Sequence, residues 1–265
     1  MSTLRILGSA DWHVTAHNDN SCYLIDDCAL IDACSTSIMQ MLNAGIDPLN
    51  VNTIFFTHLH ADHCLGLAPF LHYWMVRMAG EKRMGDFSDL TIVGHRAMLR
   101  RAVELALNIV MDQPQSLEQA VVKMPKLVEL EGECVYEHPR FHVEVMNSDH
   151  AVPGLCYRFT NRENGKVIGF TGDTKYRPEF GKFFANADLL VHEASFGAGP
   201  VPPIADTTCR HSSAIEAARV ATEANVRRLI LTHTYEPKRA GAIEEAKKRL
   251  TIPVEWAMPE TVIEY

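Results

Sequence analysis

The stretch "FFTHLHADHCLG", residues 55–66, places His58, His60, Asp62 and His63 within six positions. It follows "VNTIFF" (51–56), a short β-rich apolar run of the kind that forms a buried strand. Imidazole nitrogen and carboxylate oxygen are ligands for zinc and similar ions. With this spacing His58 and His60 reach one ion, and Asp62 and His63 reach a neighbour. An aspartate from another loop could bridge the two. Two ions about 3.5–4 Å apart can share a hydroxide and stabilise both ends of a displacement.

Further ligands are available at the ends of other predicted strands. Asp149 and His150 follow "FHVEVMN" (141–147), Asp173 follows "KVIGFTG" (166–172), and His192 and Glu193 close "DLLVHE" (188–193). His233 closes "RRLILTH" (227–233). Loops at strand ends project side chains from a rigid frame, where sites commonly form. Other strand candidates are 4–8, 22–25, 29–33 and 155–160, and helical spacing appears at 36–45, 67–80, 95–110, 177–185, 212–224 and 239–249. Strands interleaved with helices, without a regular βαβ repeat, predict a layered α/β sandwich. No linker or internal repeat divides the 265 residues, so a single domain over 1–265 is expected.

Composition narrows the function classes. Hydrophobic residues make up 47% and charged residues 22%, as in ordinary globular chains. No apolar run approaches the roughly 20 residues of a membrane span, and "MSTLRILGSADWH" lacks the order of a signal peptide. A cytoplasmic protein with no membrane partner is expected. Seven cysteines, an odd number without a C-x-x-C pair, suit reduced thiols. The net charge of −8 argues against broad polyanion binding, although a metal site would concentrate positive charge locally. Arg77, Lys82, Arg83, Arg96, Arg100 and Arg101 read as a solvated helix face, and the methionines between 75 and 111 read as core filling.

His211 precedes "SSAIEAARVA", a good helix with Ser213 and Glu216 placed for a capping box. A helix start favours phosphate, and a histidine there is placed to protonate a leaving alkoxide. His13, in "SADWH" after the first strand, reads as a structural or surface residue, and is the one such histidine that could line the pocket beside Trp12. The other histidines, 17, 72, 95, 138, 142 and 192, read as structural or surface residues.

"THLHADH" resembles the signature motif of the metallo-β-lactamase superfamily. "DHAVPGLCYRF", "TGDT", "HEASF", "HSSAIEAARVA" and "LTHTY" follow in the order of its ribonuclease Z-like phosphodiesterase branch, and the resemblance spans roughly residues 4–235. It implies a four-layer αββα sandwich and two divalent ions, zinc expected, with manganese or iron(II) accepting the same ligands. One ion would take His58, His60 and His150, the other Asp62, His63 and His233, with Asp173 bridging. His211, paired with Glu193, would be the proton donor, and Asp62 would orient the nucleophile or accept its proton. The implied enzyme is a metal-dependent hydrolase, a phosphodiesterase acting through a metal-bridging hydroxide on RNA 3′ ends or small, including cyclic, nucleotides. A homodimer is expected on the same ground.

The chain departs from ribonuclease Z in two places. Residues 111–140 are short and not basic where those enzymes carry a transfer-RNA-gripping arm, and the last histidine is followed by "TYEPKR" in place of a Ser–x–Arg–Tyr-like stretch. Both departures point from transfer RNA toward small nucleotides. The rival readings are a lactone, thioester or sulfate ester hydrolase of the same superfamily, and a non-catalytic metal-binding regulatory protein.

Overall fold

The computed structural model describes residues 2–111, 123–205 and 207–265. Residues 112–122 of the segment read above as lacking a basic arm lie outside the described residues. Strands β1 (Thr3–Gly8), β2 (Cys22–Ile25), β3 (Ala29–Ile31), β4 (Thr53–Phe55), β5 (Thr91–His95) and β6 (Lys126–Leu130) form the first sheet, and β14 (Val262–Glu264) pairs with β1. The second sheet runs from β7 (Cys134–Glu137) through β8 (Phe141–Asn147), β9 (Leu155–Asn161), β10 (Val167–Phe170), β11 (Leu189–Glu193) and β12 (Leu229–Thr232) to β13 (Val254–Trp256). Each sheet has an antiparallel part and a parallel part, β3 to β6 in one and β10 to β13 in the other.

Three cores separate four layers. Between the sheets lie Leu4, Ile6, Phe55, Tyr157, Phe159, Phe170 and Ile230. Phe55 of the first sheet meets Phe159 of the second edge to face, with ring centroids 4.9 Å apart, an arrangement that suits aromatic quadrupoles. Helices α1 (Ser37–Asn43), α3 (Leu67–Ala79) and α4 (Leu99–Met111) cover the outer face of the first sheet through Met41, Phe70, Trp74, Val103 and Leu107. Helices α5 (Phe180–Phe183), α6 (Ala214–Glu223) and α7 (Arg239–Lys247) cover the second through Phe180, Ala217, Ala221 and Ala242. This is the expected αββα sandwich. Strand β4 is buried at every position because both faces of its sheet are covered. Among the described residues no helix is long and apolar enough to cross a membrane.

The predicted elements mostly hold, with shorter ends. Strand β3 stops at Ile31, because Asp32 turns into the left-handed region at φ 57°. The helical spacing assigned to 95–110 begins only at Leu99, and His95 instead ends β5, a strand the spacing did not reveal. Strands β6, β7, β13 and β14 were likewise unassigned from sequence. Met75 and Met78 are buried, as expected for core filling, and Arg77, Arg83, Arg96 and Arg100 pair with surface carboxylates.

One buried histidine gives the fold a pH dependence. His138 Nδ1 accepts the Arg140 N–H at 3.1 Å, while Nε2 donates to Asn52 Oδ1 at 3.2 Å. Burial, reinforced by the Arg140 charge, pushes its pKa down to about 4. The unfolded chain takes up this proton near pH 6.5 and the folded chain only near 4, so the contribution is complete above 6.5 and is lost as pH falls toward 4. Urea melts at pH 7 and pH 5 should show a larger loss for the wild type than for His138→Gln; equal losses would contradict this.

Candidate metal centre

The site lies where loops leave the C-terminal ends of β4, β10 and β12 and the end of β8. From the first sheet come His58, His60, Asp62 and His63, the last two on α2 (Ala61–Cys64), a single turn. The second sheet supplies His150, Asp173 and His233. The structure brings all seven predicted ligands together in two groups. His58, His60, His150 and Asp173 offer atoms within 4.8 Å of one another, and so do Asp62, His63 and His233.

The distances suit cations. His60 Nδ1 lies 3.1 Å from His58 Nε2 and 3.2 Å from His150 Nε2. One ring proton can serve only one of these contacts, whereas a cation serves all three nitrogens. Ligands at zinc–nitrogen bond lengths of about 2.0–2.1 Å in a tetrahedron are roughly 3.3 Å apart, close to the observed separations. Asp173 Oδ2 stands 3.7 Å from His58 Nε2, 3.5 Å from His63 Nε2 and 3.3 Å from His233 Nε2, between the two groups. His233 Nε2 is also 3.3 Å from Asp62 Oδ2. His63 Nε2 is buried without a hydrogen-bond partner, 3.5 Å from Asp173 Oδ2, and a buried polar atom left so calls for a partner such as an ion. These residues fit two divalent ions.

The two groups differ electrostatically. Burial holds His58, His60 and His150 below the usual histidine range, favouring the neutral ring that ligates metal. Burial lowers His63 and His233 too, but Asp173 outweighs it and raises both, so a cation there would displace a proton. Burial opposes ionisation of Asp173, but His233 and His63 outweigh it and hold the carboxyl well below its ordinary value.

Three of the seven candidate ligands, His63, His233 and His150, are braced from behind. Asp32 Oδ2 meets His63 Nδ1 at 2.7 Å, and the Asp32 carboxylate also accepts the Thr57 N–H and hydroxyl, both at 2.8 Å. Ser195 Oγ reaches His233 Nδ1 at 3.0 Å and donates to Glu193 Oε2 at 2.6 Å. His150 Nδ1 faces the Arg210 carbonyl at 3.4 Å. Asp32, Arg210 and His233 all adopt positive φ, a strain of about 1–2 kcal/mol per non-glycine residue. Gly172, also at positive φ, lets the chain pass so close to Thr57 that an added Cβ would lie 2.7 Å from the Thr57 Cβ.

Sequence reasoning missed Asp32 and Ser195. Asp32 lies inside the strand predicted at 29–33, one position from its end, whereas Asp173 follows the strand predicted at 166–172; nearness to a strand end was the only signal of Asp32. Since a carboxylate behind a ligand histidine fixes the ring and raises its basicity, Asp32→Asn should lower metal affinity about 10–100-fold. Competition with a chelator would measure it, and unchanged affinity would refute the role.

His211 stands just beyond the ligands. Its Nδ1 lies 2.9 Å from Glu193 Oε1 and 3.9 Å from Asp173 Oδ2. Glu193 Oε1 also accepts the Thr174 N–H at 2.8 Å. Burial alone would lower the His211 pKa, but Glu193 outweighs it and raises the pKa to about 10. The expected capping box is present: Ser213 Oγ accepts from the Ile215 N–H at 3.2 Å, and Glu216 accepts from the Ser213 N–H at 2.8 Å. His192 is buried, its Nδ1 on the Glu193 carbonyl at 2.8 Å, a structural role as expected.

Two helix-covered sheets with clustered histidines and aspartates at one edge make this a metallo-hydrolase of the metallo-β-lactamase fold, in the ribonuclease Z-like branch. The same architecture is seen in the metallo-β-lactamase fold protein YhfI from Bacillus subtilis, with a TM-score of 0.78, 22% identity and coverage of 100% of this chain and 99% of that one. Residues 2–247 match the family described as Anti-Pycsar protein Apyc1, and the chain belongs to that family. It is also similar to ribonuclease Z of Bacillus thuringiensis (strain Al Hakam), 27% identical over 269 residues, covering 83% of this chain and 82% of that protein. The short form of human tRNase Z shares the fold, with a TM-score of 0.70, 20% identity and coverage of 99% and 98%.

Proposed function

We propose that the protein is a two-metal phosphodiesterase acting on small nucleotides, cyclic ones included, within one metallo-β-lactamase-like domain. The observation that carries this reading is the Glu193–His211 pair, 2.9 Å apart and set beside the bridging position of Asp173. A separate proton donor set there suits expulsion of a sugar alkoxide, a strongly basic leaving group, from phosphorus.

Two divalent ions, zinc expected, held by His58, His60, His150, Asp62, His63 and His233 with Asp173 between them, would supply Lewis acidity and an activated water. Asp62 is more open than Asp173, its side chain 20% exposed against 3%, and takes the part of orienting the nucleophile. His211 is fixed by Glu193 through Nδ1, which leaves Nε2 to give its proton to the leaving oxygen. Ser195 links Glu193 to the back of His233, so proton donor and metal ligand are held in one network.

The test is hydrolysis of a 4-nitrophenyl phosphodiester by metal-loaded protein, with a carboxylic ester and a lactone as comparators. Turnover of the phosphodiester above the others supports the reading; the reverse order would favour the rival esterases. A homodimer belongs to the same proposal, on resemblance to ribonuclease Z-like proteins. Monomeric mass in sedimentation equilibrium would refute it.

A further inference from the structure

Beside the metal centre lies a run of three rings in tilted contact, at interplanar angles of 34° and 42°, that the chemistry above does not use. The loop after β1 runs along the end of β12, where the Ser9 carbonyl accepts the N–H of the ligand His233 at 3.0 Å. Three residues on, the Trp12 ring lies 3.7 Å from His13, centroid to centroid. His13 in turn lies 4.6 Å from Tyr235, two residues past His233. Asp11 pins the middle ring: its Oδ1 accepts the His13 N–H at 2.8 Å and stands 3.2 Å from Nδ1. The run of rings is therefore pinned at its middle and ends in an indole.

That indole is open. Trp12 is 74% exposed, whereas Trp74 and Trp256 are 3% and 6% exposed. Among the described residues, His13 is the only ring against it. An ordered aromatic with one face backed and the other in water is suited to stacking on a planar ligand. Three residues of chain span at most about 10 Å, which keeps Trp12 near the ligand His233.

We infer that Trp12, backed by His13 and Tyr235, is the stacking platform for the heterocyclic base of a nucleotide whose phosphate lies at the metal centre. The inference rests on the phosphodiesterase reading and narrows it to base-bearing esters. Stacking tolerates any base, because each has a π face, so the platform selects nucleotides as a class.

The experiment uses two esters with the same leaving group, thymidine 5′-(4-nitrophenyl) phosphate and methyl 4-nitrophenyl phosphate, on metal-loaded full-length wild type, Trp12→Ala and Trp12→Phe. Base stacking is worth about 1–3 kcal/mol, so the kcat/KM ratio of base-bearing to base-free ester should fall roughly ten- to a hundredfold in Trp12→Ala. The fall should come through KM, and Trp12→Phe should restore most of the ratio. Independently of turnover, thymidine 5′-monophosphate should quench the tryptophan fluorescence of wild type and leave that of Trp12→Phe unchanged. An unchanged ratio, or quenching that persists in Trp12→Phe, would overturn the assignment. If wild type cleaves neither ester, the phosphodiesterase reading fails, and the quenching alone decides for or against Trp12. A Trp12→Ala protein that loses self-association while keeping its ratio would assign the indole to a subunit contact and overturn the platform.

Discussion

Asp173→Ala should yield a folded protein with turnover reduced by more than about 10³-fold, the equivalent of several kcal/mol of metal-assisted stabilisation. The carboxylate stands 3.3–3.7 Å from three ligand nitrogens of both groups. On the two-metal reading its removal would take a ligand from each ion at once, and with it the negative charge that would make two close cations tolerable. Metal content should therefore drop below two ions per chain, measured by inductively coupled plasma mass spectrometry on protein freed of excess metal. Asp173→Asn keeps the shape without the charge and should fall between. An alanine variant with full activity and two ions would refute the bridging role.

The second large effect belongs to His211. Substitution by alanine should cost roughly 10²–10⁴-fold in turnover, the usual range for a lost general acid, with metal content unchanged because the seven ligands stay in place. The size should depend on the leaving group. A nitrophenolate leaves as a stable anion and needs little protonation, so its loss belongs at the low end. A sugar alkoxide is a far stronger base, so nucleotide substrates belong at the high end. Equal losses on both leaving groups would mean that His211 positions the substrate or caps the helix without donating a proton. Glu193→Gln should be harsher than a lost charge alone suggests, because Glu193 also receives the Thr174 N–H and the Ser195 hydroxyl that braces His233.

The clustering of the seven candidate ligands was legible because their chemistry is packed into "THLHADH" and repeated at strand ends, where an isolated histidine or aspartate stands out against apolar neighbours. Asp32 and Ser195 were not, because their roles arise from neighbours distant in sequence: His63 is 31 positions from Asp32, and His233 is 38 from Ser195. The left-handed turns at Asp32, Arg210 and His233 are equally silent, since a non-glycine residue gives no sign of being held at positive φ. Strand β5 escaped because its "TIVGH" runs straight into the helical spacing of α4. Strands β13 and β14, of three residues each, are too short to show a period. His13 and Trp12 could be placed near a pocket from the order of the chain, but their run of rings with Tyr235 joins segments more than two hundred residues apart.

The division of ligands between the two sheets bears on the order in which a ribosome delivers them. His58, His60, Asp62 and His63 emerge early, yet neither ligand group is complete until its last member arrives, Asp173 for one and His233 for the other. The first sheet waits longer still, since β1 gains its outer neighbour only when β14 appears and pairs Thr3 with Glu264. A nascent chain therefore carries a histidine-rich half-site before its partners from the second sheet exist, and on the two-metal reading it would have to wait for them to hold both ions.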